Sequence, residues 1–374
     1  MIGRLLEAQL QQRWDSGKAL VVMGPRQVGK TTLLTKLCQE AGAFQLLNAD
    51  EADVRNQLEN ASLPRLRQLI GNSQTLFIDE AQRVRNIGLT LKLITDQLPQ
   101  VRLLVSGSSS LDLANEINEP LTGRKFEFRL YPIAWKELVD SLGFMEAHRQ
   151  LETRLLYGFY PDVVTHLGDE RAILQQLSGS YLYKDILTFG GIRRPELLDK
   201  LLVALALQVG AEVSYNELAR TLQIDRATVE SYISLLEKAF IVFRLQPFSR
   251  NLRHEISSSR KIYFYDNGIR NAILADFKPL SLRADVGALW ENFLVSERQK
   301  VLHYTGQWAR SYFWRTHQQQ EIDYLEEQDG AVCAWEFKWN PKAKARFPKP
   351  FLETYTPTQT LVIHRDNFDE FVGA

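Results

Sequence analysis

Hydrophobic and polar positions follow two regimes along this chain. Up to about residue 145, short apolar runs alternate with helix-patterned stretches. The runs are Ala19-Leu-Val-Val-Met23, Phe44-Gln-Leu-Leu47, Thr75-Leu-Phe-Ile78 and Val101-Arg-Leu-Leu-Val105, and a helix-like run, Thr32–Leu37, follows the first of them. Buried strands interleaved with helices predict an α/β domain with a parallel sheet.

Beyond it, residues 146–195 read as helical and are expected to form a lid over the first domain. Glu196–Leu207 is an apolar helix. Ser214-Tyr-Asn-Glu217 is a capping box that opens a second helix, Glu217–Leu222. Asp225 is positioned to cap a third, Arg226–Lys238. Two short helices separated by a few residues predict a helix-turn-helix. The runs Ile241–Leu245 and Lys261–Tyr265 are expected as two wing strands, which makes residues 196–270 a winged-helix domain. In the last segment, 271–374, Asp329-Gly330 lies between strand-like runs and predicts a hairpin. The organisation is thus an α/β core at 1–145, a lid at 146–195, a winged helix at 196–270 and a further α/β domain at 271–374.

The sharpest chemistry lies between the first apolar run and the first helix. Gly24-Pro25-Arg26-Gln27-Val28-Gly29-Lys30-Thr31 fits GxxxxGK[ST] in a strand–loop–helix setting. Glycines let such a loop curl its N–H groups toward phosphate oxygens, and the following helix adds its positive end. Residues Gly24 to Thr32 are therefore the expected ATP-binding loop. Lys30 is expected to reach the β- and γ-phosphates, and the Thr31 hydroxyl to hold Mg²⁺. Thr75–Ile78 ends in Asp79-Glu80; Asp79 is expected to orient Mg²⁺ through its water shell, and Glu80 to polarise the attacking water. Val101–Val105 ends in Ser106-Gly-Ser108-Ser-Ser110. Ser106 or Ser108 either senses the γ-phosphate or belongs to a serine-rich helix start. Arg124 is the first candidate for an arginine that stabilises transition-state charge, or else a solvated turn residue; Arg83 and Arg85 are weaker candidates.

A second constellation occupies the C-terminal segment. Asp323 precedes Glu336-Phe-Lys338, and side-chain alternation puts Glu336 and Lys338 on one strand face. Two carboxylates and a lysine so spaced can hold Mg²⁺ and orient a water; the alternative is a salt-bridged strand edge. Glu291 supplies a further acid on a preceding helix. Lys338, Lys342, Lys344, Arg346 and Lys349 have no acid between them and suit a nucleic-acid backbone. From Arg244 to Lys261 there are five Lys/Arg against one acid, Glu255, a wing suited to phosphate contact.

Composition narrows the reading little. With 374 residues, 45% hydrophobic and 24% charged, the chain has the makeup of a globular protein. Its formal net charge of zero leaves any nucleic-acid binding to local patches. Two cysteines, Cys38 and Cys333, fit cytoplasmic thiols. Neither a signal peptide nor a membrane-spanning run is expected.

The N-terminal half resembles the AAA+ ATPases, in particular a prokaryotic branch close to the STAND-type ATPases. The resemblance rests on Met23–Thr32, Leu76–Ala81, Val105–Ser108 and Thr122-Gly-Arg124. It continues through Arg129–Glu137, Gly158–Asp162 and Tyr263–Arg270. It implies ATP hydrolysis with Mg²⁺, joined to a C-terminal domain of unknown function. It also implies a ring-like homo-oligomer, such as a hexamer, completing its sites in trans. The Asp…Glu-x-Lys pattern resembles the PD-(D/E)xK nuclease superfamily, which implies a metal held by Glu291, Asp323 and Glu336, with Lys338 beside them. The expected function is an Mg-dependent ATPase that moves its C-terminal modules on DNA, branched or damaged. The rivals are a STAND-like switch with a protein partner and an ATP-gated DNA nuclease.

Overall fold

The computed structural model describes residues 2–107, 117, 119–181, 194–249, 260–316 and 318–374. Five strands build the first sheet: β1 (Ala19–Met23), β2 (Phe44–Asn48), β3 (Thr75–Asp79), β4 (Arg102–Gly107) and β5 (Lys125–Arg129). Their order is β2-β3-β4-β1-β5, and every neighbouring pair is parallel. β1 and β3 are buried along their whole length, which is why they read as unbroken apolar runs. β5 was not evident in the sequence: Lys-Phe-Glu-Phe-Arg is half exposed, and its alternation over five residues is a weak signal. Parallel pairing brings the C-terminal ends of β1, β3 and β4 to one edge of the sheet, where open α/β sheets place ligands.

The chain divides into two compact units. Among the described residues, one comprises those up to Ile133 with 238–240; the other comprises those of 134–181, 194–237 and 241–374. The second unit carries a seven-stranded sheet, ordered β12-β11-β10-β9-β7-β8-β6. These strands are β6 (Glu212–Val213), β7 (Val242–Pro247), β8 (Arg260–Phe264), β9 (Arg310–Arg315), β10 (Glu321–Gln328), β11 (Ala331–Phe337) and β12 (Gln359–Ile363). The expected wing strands β7 and β8 pair antiparallel. β7 also pairs in parallel with β9, so one sheet runs across the boundary drawn at residue 270. Local chemistry sets the short elements. Ser214 Oγ accepts from Glu217 N, and Asp225 accepts from the backbone and hydroxyl of Thr228. At the β10–β11 turn, Asp329 and Gly330 take φ of 51° and 82°, the positive pair that a tight hairpin needs.

The helical segment drawn as a lid is tied into the second unit by side chains. Buried Asp266 accepts from Phe159 N, and Asn271 donates to Leu156 O. A Cβ on Gly158 would collide with the Asp266 carboxylate, so this contact requires glycine. The long helix Val286–Thr305 buries Trp290 and Phe293 against Phe368.

Candidate functional site

The phosphate loop leaves β1 at Gly24 and enters the helix Lys30–Ala41. Gln27 and Gly29 take φ of 59° and 91°, the alternation that curls a backbone into an anion-receiving nest. Gly24 has no room for a side chain: a Cβ there would collide with Leu130 O. Lys30 is 5% exposed and donates to Gly24 O (2.9 Å) and Pro25 O (2.8 Å). Its ammonium thus folds back onto the loop's own carbonyls. Gln27, Thr31 and Thr32 are exposed.

The acids meet the loop from the end of β3, with Ser106 on the intervening β4. Thr31 Oγ1 donates to Asp79 Oδ2 at 2.9 Å. Ser106 Oγ donates to the other carboxylate oxygen, Oδ1, and accepts from Glu80 N at 3.2 Å. Asp79 is 5% exposed, and these two hydroxyls meet the need of a buried carboxylate for donors. Glu80 sits at φ 53°, a left-handed conformation that costs a non-glycine residue on the order of 1 kcal/mol. Its carboxylate accepts from Gln82 Nε2. The strand order therefore brings Lys30, Thr31, Asp79, Glu80 and Ser106 together. Ser108 lies outside the described residues.

Arg124 is not brought to this cluster. It precedes β5, and its carbonyl accepts from Ala19 N at the start of β1. Because β1 and β5 run parallel, it lies a strand's length from Gly24, roughly 16 Å at the rise of an extended chain. Its guanidinium pairs with Asp96 at 2.6 Å. Arg83, which follows β3, is on the loop's edge of the sheet and pairs with Asp50 at 3.4 Å.

In the second unit, Glu291, Asp323, Glu336 and Lys338 do assemble, but around lysines. Lys338 Nζ lies 2.9 Å from Glu336 Oε2 and 3.6 Å from Asp323 Oδ2. Asp323 also accepts from Phe337 N at 2.8 Å. Glu291 Oε1 accepts from Lys261 Nζ (3.0 Å) and from Tyr263 Oη (2.7 Å). Lys261 reaches Glu321 as well, at 2.5 Å. Burial works against the charge of Lys261, yet Glu291, Asp323 and Glu321 outweigh it and hold its pKa above the usual lysine value. Burial, helped by the Asp323 charge, pushes both Glu291 and Glu336 up to about 7. Among the described residues, no three His, Cys, Asp or Glu side chains are disposed to hold a metal ion. Each carboxylate of the expected metal set Glu291, Asp323 and Glu336 has a cation or hydrogen-bond donor beside it in this structure.

Two cations of the expected basic wing have internal partners. Arg244 pairs with Glu237, and Lys261 is buried in the carboxylate cluster. Arg250, Arg253 and Glu255 lie outside the described residues.

Comparison with known proteins agrees with the N-terminal geometry. Residues 16–139 match the profile of an AAA domain. Residues 148–280 and 286–373 match two domains of unknown function, DUF8612 and DUF4143. An uncharacterized protein of Mycobacterium tuberculosis is 28% identical over 336 residues, covering 88% of this chain and 72% of that one. One of Haemophilus influenzae is 26% identical over 294 residues, covering 70% of each. The Walker-type ATPase PABY2304 of Pyrococcus abyssi superposes with a TM-score of 0.53 at 16% identity, over 73% of this chain and 96% of its own. The N-terminal unit is a P-loop ATPase domain. No helix among the described residues is long and apolar enough to cross a membrane.

The ATPase domain also uses residues that pattern reading missed. Arg4 donates to Val28 O and to Tyr131 O, each at 2.6 Å, and so clamps the phosphate loop to the segment leaving β5. Nothing in the residues around Arg4 announces this contact, which spans 127 positions. Gln82, which holds Glu80, was legible as a polar residue two positions after it. In the second unit, Lys261 had been read as a wing cation, and its pairing with Glu291 and Glu321 appears only in three dimensions.

Proposed function

We propose that this protein is an Mg²⁺-dependent ATP phosphohydrolase whose turnover drives rearrangement of its C-terminal modules. The observation that carries the reading is the Lys30–Thr31–Asp79–Ser106–Glu80 cluster at one edge of the parallel sheet. The loop fits a polyphosphate: the positive φ of Gln27 and Gly29 curls its backbone into an anion-receiving nest, and the main-chain carbonyls that Lys30 meets are weaker partners than a phosphate oxygen. Thr31 would hold Mg²⁺ with Asp79 behind it, and the metal would supply charge neutralisation on the β- and γ-phosphates. Ser106 keeps Asp79 and the Glu80 backbone in register. Glu80 draws a proton from the water that attacks the γ-phosphorus, and the departing ADP oxygen takes the electron pair of the broken bond. The test is phosphate release from ATP by the pure chain with Mg²⁺ and with EDTA. Absence of release and of ATP affinity would overturn the reading.

DNA is the proposed substrate of the coupled motion. Its support is the exposed run Lys342, Lys344, Arg346 and Lys349, cations suited to a phosphate backbone. DNA-stimulated turnover that falls steeply with salt tests it. A second reading, the ATP-driven switch with a protein partner, draws on Arg244 and Lys261. Both are engaged in internal ion pairs, which takes two cations from the wing. Salt-insensitive turnover without DNA stimulation would favour that switch. Completion of the site by a neighbouring subunit, with Arg83, Arg85 or Arg124 as the donated arginine, is likewise proposed; ATP-dependent sedimentation of the pure chain tests it.

A further inference from the structure

The C-terminal carboxylates resemble a two-acid, one-lysine metal centre in sequence, but a buried lysine from a distant strand changes what they can do. Lys261 lies on β8 and is 1% exposed. Its ammonium is 3.0 Å from Glu291, on the long helix, and 2.5 Å from Glu321, at the start of β10. Tyr263, two residues along the same strand face, donates to the same Glu291 oxygen. The ring of Phe313 lies 5.6 Å from Lys261 Nζ. Lys338 completes the compensation at the other side, between Glu336 and Asp323.

We infer that Lys261 is the resident cation of this cluster. The cluster takes no divalent metal and cleaves no phosphodiester, and it joins β8 to the long helix and to β10. The two lysines differ in a way that matters here. The Lys338 side chain is 33% exposed and can swing into solvent. Lys261 is enclosed, so a metal that drew away Glu291 and Glu321 would strand an unpaired ammonium in the interior, which proteins strongly disfavour. Replacing Lys261 by a neutral side chain reverses the situation: the four carboxylates Glu291, Glu321, Asp323 and Glu336 then keep only Lys338 and, at Glu321, Arg315 (3.4 Å) among the described cations paired with them. That arrangement favours any cation able to enter.

The experiment measures Mn²⁺ binding to the full chain without nucleotide, by the loss of the free-ion electron paramagnetic resonance signal. Wild type, Lys261→Met and both forms carrying Asp323→Asn are compared, so that Mn²⁺ held elsewhere cancels. Wild type is expected to show no Asp323-dependent Mn²⁺ binding and no Asp323-dependent DNA cleavage. Lys261→Met is expected to bind Mn²⁺ at least tenfold more tightly, to lose that gain with Asp323→Asn, and to unfold at a higher temperature with Mn²⁺ than with EDTA. Asp323-dependent Mn²⁺ binding or cleavage by wild type overturns the inference. Folded Lys261→Met without gained affinity overturns the role given to Lys261. Lys261→Gln, which keeps a donor in the pocket, serves if the Met variant does not fold. If neither folds, the wild-type measurement decides.

Discussion

Both units bring lysines and carboxylates together, yet they arrange them oppositely. In the ATPase domain Lys30 rests on two main-chain carbonyls, while Asp79 is satisfied by the hydroxyls of Thr31 and Ser106. A polyphosphate would meet the Lys30 ammonium where main-chain carbonyls now lie, and its metal would meet Asp79 where hydroxyls now lie. In the second unit Lys261 and Lys338 sit directly on the carboxylates, and each ammonium is met internally by acids. The lesson is that residue types alone do not make an ionic site; what matters is whether each charge is held by something a ligand can outbid.

The largest expected effect would break the first half of that contrast. Lys30→Ala removes the group that meets the β- and γ-phosphates, and ATP turnover should fall at least about 100-fold, as when a transition-state donor is lost. A steady-state phosphate-release assay reads this out; near-normal turnover would show that the carbonyl-held lysine is not the catalytic cation. Glu80→Gln should lower kcat by about 100-fold or more while ATP still binds, the pattern expected for loss of a general base. Equilibrium binding of a fluorescent ATP analogue alongside kcat separates the two.

Gly24→Ala tests the cradle by packing. Its Cβ meets Leu130 O, so the chain should lose about 1–3 kcal/mol of stability, the usual penalty for overpacking, and ATP affinity with it. Urea denaturation and binding titration would show both; an unaltered loop would mean the strand beside it yields easily. Arg4→Ala should raise KM for ATP about tenfold with a smaller change in kcat, since it removes two hydrogen bonds from a charged donor to main-chain carbonyls. Arg4→Lys should recover part of the loss, because an ammonium can still reach one carbonyl.

The smallest effect sharpens the second half. Burial raises Glu291 and Glu336 to about 7 from an ordinary glutamate value. The folded state then holds protons that the unfolded chain has released. The stability from this uptake is complete below about pH 4.5 and fades as pH rises through 7. Glu291→Gln should flatten this decline between pH 5 and 8 in urea unfolding curves; an unchanged slope would remove Glu291 from the titration.

Much of the ATPase domain could be read from short-range pattern. Unbroken apolar runs marked β1 and β3, Gly29-Lys30-Thr31 marked the loop, and Asp79-Glu80 marked the facing acids. β5 escaped because five half-exposed residues carry little periodicity, and its location is what takes Arg124 away from the phosphates. Asp329-Gly330 announced the hairpin, since so few residues tolerate its backbone.

Sequence therefore sufficed wherever function depends on local backbone and neighbouring residues: a glycine at 24 that must lack a Cβ, a lysine directly after Gly29, acids ending a buried strand. Spatial arrangement had to be seen wherever function depends on which charges meet. Arg4 reaches the phosphate loop and the segment after β5, and Lys261 on β8 pairs with Glu291 and Glu321. Electrostatic interaction falls off over a few ångströms in space and takes no account of separation along the chain, so the folded chain alone sets those pairings.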